Sequence, residues 1–152
     1  MHGLLMRARR RQLSHRLLPL RGTLPEHPKR GWIRALREPL GMSLEVLGAR
    51  MGMTRQAAHR LEASEANGTI SLNRLRDAAD VMGCDVAIVF VPREDLETWV
   101  EARATEAART KLQPQESALL SDGKPVSPEL LADLIRREAI RMVEAGDSRI
   151  WS

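Results

Sequence analysis

The sequence predicts a mainly α-helical chain with one β-strand set between two groups of helices. Three observations predict it. Apolar residues recur at helical spacing over most of the chain. Capping residues stand where those stretches start and glycines where they end. One run alone, "CDVAIVFV" at 84–91, changes to the β-branched composition of a strand. A hydrophobic share of 43% supports a small core, and three Trp, one Phe and no Tyr in 152 residues make that core aliphatic. The length fits one domain with appendages.

Residues 1–30 read as a basic N-terminal arm and linker. Leu5, Leu13, Leu17 and Leu18 line one side of a short basic helix over 4–18, and Pro19, Gly22, Pro25 and Pro28 make residues 19–31 a linker. Residues 31–83 read as four helices. Trp32, Ile33, Leu36 and Leu40 share a face of the first. Ser43 caps the second, Glu45 sits in its first turn, where the helix dipole favours a carboxylate, and Leu44, Leu47 and Met51 form its apolar side. Gly52 suits a left-handed stop. Thr54 caps the third helix, which reaches about Ala63, and "SEANGTIS" reads as a loop. Leu72, Leu75, Ala79 and Met82 mark the inward side of the fourth.

Residues 84–92 read as the strand. No other run offers it a partner, and an unpaired strand leaves its backbone donors and acceptors unmet. A second copy of the same strand would repair this across a two-fold axis, with Val86, Ile88 and Phe90 as dimerisation residues. The alternative is the end of a buried helix. Residues 93–152 read as C-terminal helices, a dimer or partner surface. Leu96, Trp99, Val100, Ala104 and Ala107 stripe a helix over 93–112, and "QPQESALLSDGKPV" reads as a polar loop. Ser127, Pro128 and Glu129 open a last helix with Leu131, Leu134, Ile135, Met142 and Val143 on its apolar side and Gly146 at its end.

Charge is uneven. Residues 1–37 hold ten Lys and Arg against Glu26 alone, a net +9, while 38–92 carry −2 and 93–152 carry −3. The arm is either a contact for an anionic polymer or a solvated extension. Cys84 is the only cysteine, so no internal disulfide forms, and His2, His15, His27 and His59 make no ligand spacing with it, so no metal and no cofactor is expected. "GLLM" is too short for a signal-peptide core and no run approaches a membrane span, which makes a cytoplasmic protein the expectation. No phosphate loop or nucleophile motif suggests an enzyme. Glu94, Glu97 and Glu101 share a helical face that reads as solvated surface.

The unit from Ser43 to Ala63 carries the functional signal. Two helices joined by Gly52-Met53 must cross steeply, and Gly48 supplies the small residue where they touch. Ala58 and Leu61, ten and thirteen positions after Gly48, anchor the second helix. This is helix-turn-helix logic, which presents the start of the second helix to the major groove of double-stranded DNA. Arg55, Gln56, Ala57, His59 and Arg60 are then the base-contact candidates. Arginine suits guanine O6 and N7, glutamine suits adenine N6 and N7, and Ala57 is short enough to meet a thymine methyl. Ser43, Thr54, Ser64, Asn67 and Thr69, with Arg30, Arg34 and Arg37, are the phosphate-contact candidates. The expected role is a dimeric, sequence-specific transcriptional repressor reading half-sites about one turn, roughly 34 Å, apart.

Four helices in this order resemble the Xre/lambda-repressor-like domain, with Ala58 standing where that family usually has Val or Ile. More narrowly, "RQLSHRLLPLR", the stretch from Arg30 to Pro92 beginning "RGWIRALREPLGMSLEVLGARMGMTRQAAHRLE", and the ending "SRIWS" resemble the helix-turn-helix proteins called mobile mystery protein A. That resemblance implies an autorepressor of a toxin–antitoxin-like operon. It also implies an alternative role as an antitoxin that neutralises a Fic-domain partner through the C-terminal helices.

Overall fold

The computed structural model describes residues 2–121 and 127–152, with side chains described over 3–114 and 127–152. Residues 122–126 of the expected polar loop lie outside the described residues. The helices are α1 (His2–Leu17), α2 (Trp32–Arg37), α3 (Leu44–Arg50), α4 (Arg55–Ala66), α5 (Leu72–Val81), α6 (Leu96–Ser121) and α7 (Pro128–Ala145), with short 3-10 turns at Leu18–Leu20 and Ser148–Trp151. The chain forms two compact units, one of residues 24–89 and one of residues 1–23 with 90–152.

The expected dimerising strand is not present. Residues 84–92 take no regular secondary structure, and the described residues contain no strand. The composition of the run is that of a strand, but a strand exists only through pairing, and the chain supplies no second β-rich segment. Its side chains do not alternate cleanly either. Val86 is half-buried, while Ile88, Val89 and Phe90 are all exposed. Val86, Ile88 and Phe90 therefore form no strand face of the kind dimerisation needs.

In the unit of residues 24–89, each of the helices α3, α4 and α5 starts on a side-chain cap. The Ser43 hydroxyl accepts the Val46 N–H at 3.2 Å, Thr54 that of Ala57 at 3.1 Å and Ser71 that of Arg74 at 3.3 Å. Each satisfies a donor that the first helical turn leaves without a partner. Ile33, Leu47, Ala58, Leu61, Ala78 and Met82 make the core, with Met42, Met51 and Met53 packed against it. The α3–α4 junction is as tight as Gly48 allows. A Cβ there would lie 2.7 Å from the Met53 carbonyl oxygen, and the Met53 N–H donates to the Gly48 carbonyl at 2.8 Å. Gly52 turns the chain at φ +66°, a left-handed conformation open to glycine without strain.

Two carboxylates on α4 hold α2. Glu62 takes the Arg37 Nε–H at 2.5 Å, and Arg37 also donates to the Met42 carbonyl at 2.7 Å. Glu65 accepts the N–H groups of Trp32 at 2.9 Å and Ile33 at 3.2 Å, which caps α2 from another element, and it meets His27 Nε2 at 2.9 Å. Gly31, at φ +83°, leaves the room this needs, because a Cβ there would overlap the Glu65 carboxylate.

In the other unit, Val100, Ala104 and Ala108 of α6 pack on Ile135, Ala139 and Met142 of α7, and Ile150 closes the cluster. Small residues on α6 let the two helices approach closely. Two pairings made far along the chain bind α1 to α6. The Leu96 N–H donates to the buried Ser14 hydroxyl at 3.0 Å, and Glu97 bridges Arg7 at 3.1 Å and Arg10 at 2.7 Å. Glu97 is thus buried and paired rather than solvated. The helix expected to end at 112 continues through Pro114 to Ser121.

Candidate nucleic-acid interface

The site is the start of α4 with the start of α3 beside it. Thr54 is extended (φ −73°, ψ 160°) and its side chain caps the helix. This fixes which way the next residues point. Ala58, fully buried, and Leu61 face the core. At 100° per residue, the positions between them turn outward. Arg55, Gln56, His59 and Arg60 are all exposed, and Ala57 is partly so. They form one face over the first two turns of α4.

Arg55 has a partner that spacing alone did not reveal. Its Nε lies 2.7 Å from Glu45 Oε1 on α3, with both side chains about 60% exposed (60% and 62%). The Glu45 carboxyl is held below the ordinary carboxylate range, first by its own backbone N–H, then by the Ser43 hydroxyl, with the Arg55 charge a smaller influence. It is therefore ionised at neutral pH. The contact uses one edge of the guanidinium and leaves both Nη groups free, the two donors needed for a fork onto guanine O6 and N7.

The remaining candidates fall into separate places. Ser43 and Thr54 flank the Arg55–Glu45 pair, at the starts of α3 and α4, and are exposed. Ser64, Asn67 and Thr69 gather at the other end of α4, roughly 18 Å away at 1.5 Å per residue. There the Ser64 hydroxyl donates to the Leu61 carbonyl at 2.8 Å and Thr69 Oγ1 to the Ser64 carbonyl at 3.2 Å. Arg30 is exposed, and Arg34 is half-buried and paired with Glu38 at 2.7 Å. Both lie near that same end, because Glu65 of α4 caps α2. Arg37 does not belong with the surface cations. It is turned inward, 10% exposed at its side chain, with its charge answered by Glu62. The hydrogen bond to Glu62 is the first cause of a pKa raised above the ordinary arginine value.

Sequence reasoning missed the Arg55 contact of Glu45 and passed over Glu62 and Glu65. The signal for the last two was present: 58, 61, 62 and 65 fall on one helical stripe, so Glu62 and Glu65 share the inward face with Ala58 and Leu61.

Among the described residues, no group of three or more His, Cys, Asp or Glu is placed to hold a metal ion, and no helix is long and apolar enough to cross a membrane. Residues 33–89 match the family model described as Helix-turn-helix. No curated protein and no solved structure matches the chain. The match is to the broad class, and it spans α2 to α5 and the run after α5, inside the unit of residues 24–89. Over residues 33–89 the chain is thus similar to helix-turn-helix domains of the Xre type, a DNA-binding class.

Proposed function

We propose that the protein is a sequence-specific transcriptional regulator that reads double-stranded DNA with α4. Arg55, Gln56 and Arg60 donate to base edges, Ala57 lets the helix approach, and His59 lies at the margin of the contact. The observation that carries this reading is the outward face at the start of α4, where four polar side chains stand exposed opposite the inward pair Ala58 and Leu61. Ser43 and Thr54 contact the backbone phosphates at one end. Arg30, Arg34 and Asn67 contact them at the other, where the Ser64 and Thr69 hydroxyls are committed to the Leu61 and Ser64 carbonyls. These contacts set the register, and the base contacts set the sequence.

The resemblance to mobile mystery protein A makes the region upstream of its own coding sequence the first target, with autorepression as the role. Footprinting of that region at two salt concentrations tests this. A protected site whose affinity falls steeply with salt, and which Arg55→Ala plus Gln56→Ala abolishes, is the expected result. Protection that the double variant leaves intact would remove α4 from the reading role. An unprotected upstream region, with a site selected from random duplexes, would refute autorepression alone.

A further inference from the structure

Binding a duplex takes cations as well as a recognition helix, because phosphate contacts supply a large share of the affinity. The unit of residues 24–89 is poorly supplied with them. It holds nine Lys and Arg against eight Asp and Glu, an excess of one. Three of those arginines are already answered, Arg34 by Glu38, Arg37 by Glu62 and Arg55 by Glu45. The other unit contains a face of the opposite character. Residues 1–25 include no Asp or Glu, and α1 carries Arg7, Arg9, Arg10, Arg11 and Arg16.

The helix sorts these arginines by direction. At about 100° per residue, Gly3, Arg7, Arg10 and Ser14 fall within about 60° of one another. All four meet the rest of their unit. A Cβ on Gly3 would lie 3.0 Å from Glu144 Cα, Arg7 and Arg10 bridge Glu97, and Ser14 accepts the Leu96 N–H. Arg9, Gln12 and Arg16 fall within about 60° of one another on the opposite side. All three are exposed, and Arg11 is exposed on a flank. Arg9, Arg11 and Arg16 have no hydrogen-bond or ion-pair partner among the described residues. Arg9 and Arg16 stand about 10 Å apart along the axis at 1.5 Å per residue. An anionic membrane is the poorer ligand. Leu4, Leu5 and Leu13 are exposed on α1, but they spread over about half the helix circumference and make no apolar stripe to enter a bilayer.

We propose that the outward face of α1, centred on Arg9 and Arg16 with Arg11 on its flank, binds the phosphate backbone of double-stranded DNA. The contact carries no sequence information and adds affinity to any site that α4 reads. The choice of ligand rests on the DNA reading of the helix-turn-helix. Because the two units share one chain, binding by one raises the effective concentration of duplex at the other.

Fluorescence anisotropy of the full chain on a random duplex and on the footprinted site, each over a range of salt, tests it. Arg9→Gln with Arg16→Gln should make the slope of log affinity against log salt shallower by about two, about one for each lost contact. It should weaken both duplexes by the same factor and leave circular dichroism unchanged. Arg103→Gln with Arg136→Gln removes the same charge from α6 and α7 of the same unit, at arginines that also have no ion-pair partner among the described residues. That control should change the slope by less than half as much. Failure of the α4 reading shows elsewhere, as a ratio of site to random affinity that Arg55→Ala with Gln56→Ala leaves unchanged. An unchanged slope in the α1 variant, or the same change in both double variants, would overturn the proposal. So would binding to phosphatidylserine vesicles that the α1 variant abolishes while its slope on DNA stays that of the parent.

Discussion

At Arg55 a single side chain meets two demands, one from its neighbour and one from its ligand. Glu45 holds the Nε edge, and the free edge faces out. An exposed ion pair of this kind adds little to stability, typically under 1 kcal/mol. Its effect belongs to orientation. Glu45→Gln should leave the unfolding midpoint unchanged, raise affinity for random duplex by removing a charge that repels phosphate, and narrow the ratio of specific to random binding severalfold; fluorescence anisotropy on both duplexes checks this. The two glycines of the turn make a second residue-scale contrast. Gly48→Val drives carbon toward the Met53 carbonyl oxygen, 2.7 Å from where its Cβ would stand, and should destabilise by about 1–3 kcal/mol. Gly52→Ala meets nothing within 4 Å and is opposed only by its φ of +66°, a penalty of about 1–2 kcal/mol. Urea midpoints separate them. The different needs of these glycines, closeness at one and handedness at the other, were legible in the sequence, because each rests on local geometry. Glu45 was not, because its contact joins two helices.

Among the elements, the helices with side-chain caps were read most accurately. Ser43, Thr54, Ser71 and Ser127 each cap a helix, and Gly146 ends α7 in the left-handed region at φ 65°. The failures have separate causes. The run 84–92 was read from composition, whereas a strand needs a partner. The stretch after residue 112 was read as a polar loop, yet α6 continues through Pro114 to Ser121. The Thr110 carbonyl that Pro114 leaves without a helical donor sits where both residues are exposed, so water can serve it. The last residues of α4, Ser64 to Ala66, were assigned to a loop, although Glu65 there is buried and caps α2. The Arg37–Glu62 pair joining α2 to α4 gives a direct test. Glu62→Ala strands a buried guanidinium and should cost about 3–5 kcal/mol, while Arg37→Met with Glu62→Leu should restore most of it. A double-mutant cycle by denaturant unfolding measures both; equal losses in the single and double variants would contradict the assignment.

For the molecule as a whole, net charge by segment concealed how the charges are used. Half of the cations of the basic first segment lie on helix α1, which packs with α6 and α7, and Arg7 and Arg10 are engaged with Glu97. A one-dimensional reading cannot find pairings across 82 or 87 residues, as between Ser14 and Leu96 or Arg10 and Glu97. Two carboxyls of this same unit are depressed by neighbouring cations. Arg141, then Lys111, hold the Glu138 carboxyl down to about 2, and Arg149 holds Asp147 to about 2. Both values are depressed on folding. Their contribution is therefore complete above the ordinary carboxylate range and is lost as pH falls through it toward about 2. Helical signal against pH should show Glu138→Gln losing less stability than the parent between about pH 5 and about pH 2. Sequence-specific reading of DNA stands on the outward tips at the start of α4. Its most direct test is the affinity of the parent and of Arg55→Ala for a set of operator duplexes in which each base pair is changed in turn. The parent should lose about tenfold or more at one guanine, equivalent to about 1.4 kcal/mol, and Arg55→Ala should have lost that discrimination and no other. An identical profile from both proteins would contradict the assignment of α4 as the element that reads DNA.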